Sequence, residues 1–165
     1  MKKSLVVIAC MAALAVLVTV ESASAQGKWE GVWKLTEVTW SGNNPVKMTI
    51  SPKHPNLFIV TKKYWSLTNI AAATGSRPDL PQKGATDAQK VAAWTTFVGL
   101  AGTYEVKGNM VTSRTIVAKN PSEMAPGNFT TNEFKFEGDT LTMTEKTNQD
   151  GPIANPMITK WVRVE

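Results

Sequence analysis

The residues of this chain that could do chemistry are few. There is one histidine, His54, placed between Pro52 and Pro55 in "SPKHPN", and one cysteine, Cys10, near the start. A Ser/His/Asp triad would have to be built on that single loop histidine. A zinc site needs about three or four His, Cys or carboxylate ligands, and the sequence offers no such cluster, so no metal or cofactor is expected. No two acids stand at the spacing of a glycosidase pair or a calcium loop. Asp139 and Asp150 stand in turn sequences, and "KGN" and "EGD" are hairpin turns, not phosphate-cradling loops. No catalytic residue is therefore assigned. The sharper polar candidates are two arginines: Arg77, just before Pro78 in a long loop, and Arg114, inside a strand-like run. An inward arginine needs a partner, either an internal acid or a ligand carboxylate.

The N-terminus reads as an export signal. Lys2 and Lys3 precede an apolar run from Leu5 to Val18, and Ala23-Ser24-Ala25 supplies the small residues of a cleavage site. The run is short for a bilayer crossing, which takes roughly 20 apolar residues, and no basic stop-transfer cluster follows. The expectation is a cleaved signal peptide over 1–25, a mature chain over 26–165 with no membrane span, and a periplasmic or secreted location. "VIAC" (7–10) resembles a lipobox, but its cysteine precedes most of the apolar core.

Without Lys2, Lys3 and Glu21 the formal charge of +5 becomes +4. The lysines are scattered, with no arginine-rich block or basic helix, so no nucleic-acid partner is expected. The mature length suits one domain with a real core. Cys10 leaves with the signal, so stability must come from packing alone, and all six tryptophans lie in the mature part.

The periodicity is that of strands. In 29–40, Trp29, Trp33 and Leu35 share one parity and Val32, Val38 and Trp40 the other, which predicts a bulge between Leu35 and Val38. A brief strand follows at 46–51, then strands at 57–61 and 64–70 joined at Lys62-Lys63. Residues 103–117 form a hairpin turning at Gly108-Asn109, with two registers open. A two-residue turn pairs Val106 with Val111 and puts Ser113, Thr115 and Val117 on that face; a three-residue turn puts Arg114 there. "TNEFKF-EGD-TLTMTE" is a further hairpin, "NQDGPIANP" is loop, and "MITKWVRVE" closes the chain as a strand.

The one helix signal covers 86–99. Thr86 and Gln89 have capping-box spacing, and Val91, Trp94, Thr95 and Val98 fall on one stripe that should be buried against the sheet. About eight strands with hairpin connections predict an all-β, eight-stranded antiparallel up-and-down barrel with the helix packed on it or capping it.

Three segments carry a family resemblance: "GVWKL" (31–35), the long block "RPDLPQKGATDAQKVAAWTTFVGLAGTYEVKGNMVTSRTIVAKNP" (77–121), and the ending "WVRVE". Together they resemble the bacterial lipocalin-like domain family, a secreted branch of the calycin type of barrel. The Gly-x-Trp pattern alone is common; the middle block is more specific. The resemblance implies a barrel floor in which Trp33 packs under Arg163, with Gly31 leaving room for the ring and the bend. The chain departs from classical lipocalins in lacking their disulfides and in carrying its helix mid-chain.

An eight-stranded barrel can hold one small ligand. The expected lining is Tyr64, Arg77, Trp94, Phe97, Tyr104, Arg114 and Phe134, with Trp65, Phe136 and Met143 as further aromatic or soft candidates that could equally be plain core. The sequence thus predicts a lipocalin-like protein that binds a small, largely apolar or amphiphilic molecule, with or without an anionic group. Two alternatives accompany it. One is a barrel isomerase or hydrolase using Tyr104, Arg114 or an acid; the other is an envelope interaction module with a filled barrel. Ligand identity and oligomeric state are not legible.

Overall fold

Three tight turns set the hairpins. Tyr64 returns to Thr61 across Lys62-Lys63, and Gly108 and Gly138 open the two-residue turns at 108–109 and 138–139 with φ of +61° and +59°. Glycine reaches that region without the cost a Cβ would add. The computed structural model describes residues 27–42, 45–48, 50, 56–70 and 77–165. The expected signal peptide, Cys10 and His54 lie outside them.

The strands are β1 (Gly31–Trp40), β2 (Val46–Met48), β3 (Leu57–Val60), β4 (Tyr64–Ile70), β5 (Phe97–Lys107), β6 (Met110–Ala118), β7 (Thr130–Glu137), β8 (Thr140–Asn148), β9 (Gly151–Pro152) and β10 (Met157–Arg163). Eight of them pair antiparallel in the order β10-β1-β3-β4-β5-β6-β7-β8, and β8 closes on β10. The result is the expected all-β barrel. Outside the ring, β2 extends β1 and β9 extends β8; β9 falls within the stretch read as loop. The tight turns and both ends of the described chain gather at one end of the barrel, here the closed end. Trp40, Ile70, Ala118 and Asn148 lead into the longer connections at the other, open end.

Two bulges decide which side chains face inward. The pairing of β1 with β10 shifts between Leu35 and Glu37, so Trp33, Leu35 and Val38 are all buried despite their mixed parity. The pairing of β5 with β6 shifts at Ala101/Gly102, where Ile116 is the extra residue. Val106 pairs with Val111, the two-residue register, so Ser113 and Thr115 share the face of buried Val111. Val117 does not follow them: the bulge turns it outward, 62% exposed.

The α-helix α1 (Asp87–Thr95) starts where its capping box predicts. Gln89 N–H donates to the Thr86 hydroxyl at 3.3 Å, and Thr86 N–H to the Gln89 side chain at 2.9 Å. It ends four residues earlier than expected, because Phe97 already pairs with Ile70 as the first residue of β5. The expected stripe is not buried: Val91 and Trp94 are 63% and 58% exposed, and Ala93 alone is buried. The helix is held by its C-terminal end instead. Arg77 Nε donates to the Ala93 carbonyl at 3.3 Å, and Lys119 Nζ to the Trp94 carbonyl. Lys119 also donates to the Phe97 carbonyl at 2.6 Å. Cations there add to the bonds that the Thr96 N–H and hydroxyl make to the Trp94 and Ala93 carbonyls, and they oppose the negative end of the helix dipole.

Among the described residues no helix is long and apolar enough to cross a membrane.

Candidate functional site

The closed half of the barrel is packed with aromatic rings. Gly31 takes a φ of +140°, so the chain leaves β1 there and residues 27–29 turn as a helix. Trp29 therefore is not a strand residue; it enters the barrel from its end and is 1% exposed. Its ring lies 4.9 Å from Phe134, 6.0 Å from Phe58 and 6.2 Å from both Tyr104 and Phe136, centre to centre. These are ordinary separations of packed aromatic pairs. Trp33, fully buried, donates its indole N–H to the Trp29 carbonyl at 3.1 Å. Arg163 covers the other side of that indole, its guanidinium carbon 4.1 Å from the ring centre. The Trp29 indole N–H itself has no partner.

The open half is different in kind. Across β7 and β8 the inward rows run Phe134–Met143, then Asn132–Glu145, then Thr130–Asn148. On β6, Val111 extends the middle row and Ser113 the last. Aromatic packing thus gives way to amides, hydroxyls and a carboxylate within two rows. Above them is a cleft of about 250 Å³ lined by Ser113, Thr115, Glu123, Asn128, Phe129, Thr130, Asn148 and Gln149. Burial pushes the Glu145 carboxyl up from its ordinary value, and only the Met157 N–H, donating at 3.3 Å, pulls it down. Two further amides lie in the wall. Asn56, 1% exposed, accepts the Ile70 N–H at 2.8 Å while its NH₂ has no partner, and the buried Asn69 carbonyl oxygen has none.

The expected lining residues are only partly brought together. Tyr104 and Phe134 face the interior, but both pack on Trp29, and the Tyr104 hydroxyl donates to the Thr61 carbonyl at 2.6 Å. Tyr64 stands outside, 56% exposed, because its neighbour Trp65 takes the inward position. Arg114 pairs with Thr103 on the outer face, exposed, with its guanidinium 5.6 Å from the Phe129 ring centre. The expectation of an inward arginine is corrected by the two-residue turn at 108–109. Arg77 binds the end of α1 and lies 5.2 Å over Phe97, whose ring covers Gly99 on the outer face. Trp94 is on the exposed side of α1, with Lys119 Nζ 5.2 Å above its ring. Gly31, Trp33 and Arg163 meet at the closed end.

Sequence reasoning missed Asn132, Glu145 and Asn148. Their signal was a polar residue at each inward position of an otherwise apolar alternation, hidden by a further bulge between Thr131 and Asn132. It also missed an outer-face groove of about 320 Å³ formed by Ile59, Tyr64, Ser66, Ala101, Ile116 and Val117 among others. The β5–β6 bulge creates it by turning Val117 outward beside Ala101.

Among the described residues no group of three or more His, Cys, Asp or Glu side chains could hold a metal ion. Ser113 donates its hydroxyl to the Thr130 carbonyl at 3.3 Å, a bond within the sheet. The arrangement is one of hydrogen-bonding groups around a space, suited to holding a molecule by contact.

No family model and no curated protein matches the chain. Among solved structures, the chain is similar to an uncharacterized protein from Bacteroides eggerthii, at 11% identity and a TM-score of 0.42, over 82% of this chain and 98% of that one.

Proposed function

We propose that this chain is an exported barrel that binds a small molecule at its open end, through hydroxyl and carboxamide groups. Export rests on the segment from Lys2 to Ala25. The observation that carries the binding reading is the division of the interior at Trp29. Below it, rings fill the space an apolar ligand would need. Above it, Ser113, Thr115, Thr130 and Asn148 border a cleft. A site of this composition favours a polar ligand over the largely apolar one expected from the aromatic content.

Native mass spectrometry of the protein purified gently from its host envelope tests this. A small polar mass should be present, leave on denaturation, and be absent from Thr130→Val and Asn148→Leu variants that still fold. A long-chain lipid retained by both variants would overturn the reading. The filled closed half and the exposed Ile59, Tyr64, Ile116 and Val117 favour a second reading, an envelope interaction module working through its outer face. A protein that stays bare across growth conditions, and binds no small polar compound, would favour that one.

A further inference from the structure

The row beneath the cleft carries a carboxylate with no counter-charge among the described residues. Glu145 faces Asn132 across β7 and β8. Asn132 is 8% exposed, and its side chain hydrogen-bonds to no described residue. Glu145 is half-buried and accepts one backbone N–H, from Met157. Among the described residues no cation pairs with it.

The charged groups on the elements packed beside Glu145 are engaged elsewhere. Glu133 on β7 pairs with Lys146 on β8 at 2.6 Å, and Lys160 on β10 pairs with Glu37 on β1 at 3.2 Å. Arg114 on β6 lies outside, over Phe129. Glu123 lines the cleft above, and among the described residues neither lysine nor arginine does. Among the described residues, the charged side chains of the open-end site are thus carboxylates alone.

We infer that the open-end site takes a small organic cation with N–H donors, a primary ammonium compound, whose charge sits against Glu145 with the Asn132 carboxamide as a second contact. The inference rests on the open-end reading above and adds the ligand's charge. An ammonium group would supply charge-assisted hydrogen bonds to Glu145, and no cation among the described residues of the site would compete with it. Asn132 offers both an acceptor and donors, so it could hold a neighbouring hydroxyl or amine of the same ligand. Selection against anions follows from like charge at Glu145 and Glu123.

Isothermal titration at pH 7.5 compares two amines with their neutral counterparts: putrescine against 1,4-butanediol, and glucosamine against glucose. The amines should bind about ten-fold or more tightly than the neutral compounds, the scale of one charge-assisted contact. Glu145→Gln should remove that preference while leaving neutral binding in place, since the amide can still accept the Met157 N–H. Glu137→Gln, which alters an exposed pair with Lys135, should leave the preference intact. Carboxyl NMR gives a second readout: the Glu145 pKa should fall when putrescine is added. Equal affinity for amines and neutral compounds, or a preference that survives Glu145→Gln, overturns the charge inference and leaves the open-end site standing. Binding of neither class overturns both.

Discussion

The guanidinium of Arg163 stacks on Trp33, 4.1 Å from the ring centre, and also donates to the carbonyls of Glu30, at 2.7 Å, and Lys28. One side chain on the last strand thereby joins the first strand to the helical turn that carries Trp29. Charge, ring face and backbone acceptors are all used at once, which a lysine cannot reproduce with its single ammonium. Gly31 belongs to the same arrangement. A Cβ at that position would run into the Arg163 side chain and the Glu165 carbonyl.

Trp33→Ala should cost about 3–5 kcal/mol of stability, the range for removing a large buried ring. Arg163→Lys should cost about 1–2 kcal/mol through lost charge-assisted hydrogen bonds. In a double-mutant cycle the pair should show coupling of roughly 1 kcal/mol or more. Urea unfolding of the four proteins measures this. Additive effects would mean that the contact adds nothing beyond each residue's own packing.

Trp29→Ala should cost a similar ~3–5 kcal/mol and open a cavity among Phe58, Tyr104, Phe134 and Phe136. Such a cavity is apolar and stays dry, so it should bind benzene or a comparable hydrocarbon. The wild type should not. Apolar binding by wild type, equal to that of the variant, would show that Trp29 is not the residue filling the closed half. Trp29→Phe should be much milder, because it also removes an indole N–H that has no partner.

The difference between what the sequence predicted and what formed is physical. Short-range signals were sufficient for the hairpins. Gly108-Asn109, Gly138-Asp139 and the alternation of Phe134 and Phe136 with charges locate turns and strands without tertiary knowledge, and the parity change after Leu35 locates a bulge. What failed was orientation at single positions. Tyr64 and Trp65 are adjacent aromatics, and nothing local says which one turns inward; the pairing of Trp65 with Gly102 decides it. Val91, Trp94, Thr95 and Val98 satisfy helical spacing, but the last belongs to β5, where pairing with Asn69 replaced helical hydrogen bonds. Trp29 matched strand parity, and only the backbone turn at Gly31 sends it into the barrel. The polar open half was illegible because an inward asparagine or glutamate in a strand reads like a solvent-facing one.

Gly102→Ala should disrupt the β5–β6 bulge. A Cβ there would overlap the Arg114 carbonyl oxygen and come within 2.8 Å of its carbon, both backbone atoms of β6 that cannot rotate away. Overpacking of this kind costs about 1–3 kcal/mol or more. Gly138→Ala is a useful contrast, since its Cβ would meet nothing and the strain would come from φ alone. Thermal unfolding should rank Gly102→Ala well below Gly138→Ala. The reverse order would mean that the strands separate easily at the bulge.

The pH dependence of stability should carry the mark of Glu145. Burial holds its carboxyl above the ordinary value of 4.5. As pH rises, the unfolded chain therefore ionises before the folded one. The contribution to stability is complete below the unfolded value and is lost as pH climbs through the raised folded value. Glu37, Glu133 and Glu137 shift the other way, held low by their lysine partners, so their contributions are lost as pH falls. Those acids are shared by wild type and Glu145→Gln and cancel in the difference. Glu145→Gln should match the wild type in acid and melt higher at neutral pH, with the gap opening above the ordinary carboxylate range. Melting curves of the two proteins from acid to neutral pH check this. A gap that does not change with pH would place the Glu145 carboxylate in bulk solvent and remove its claim to be a group held out of water for a ligand.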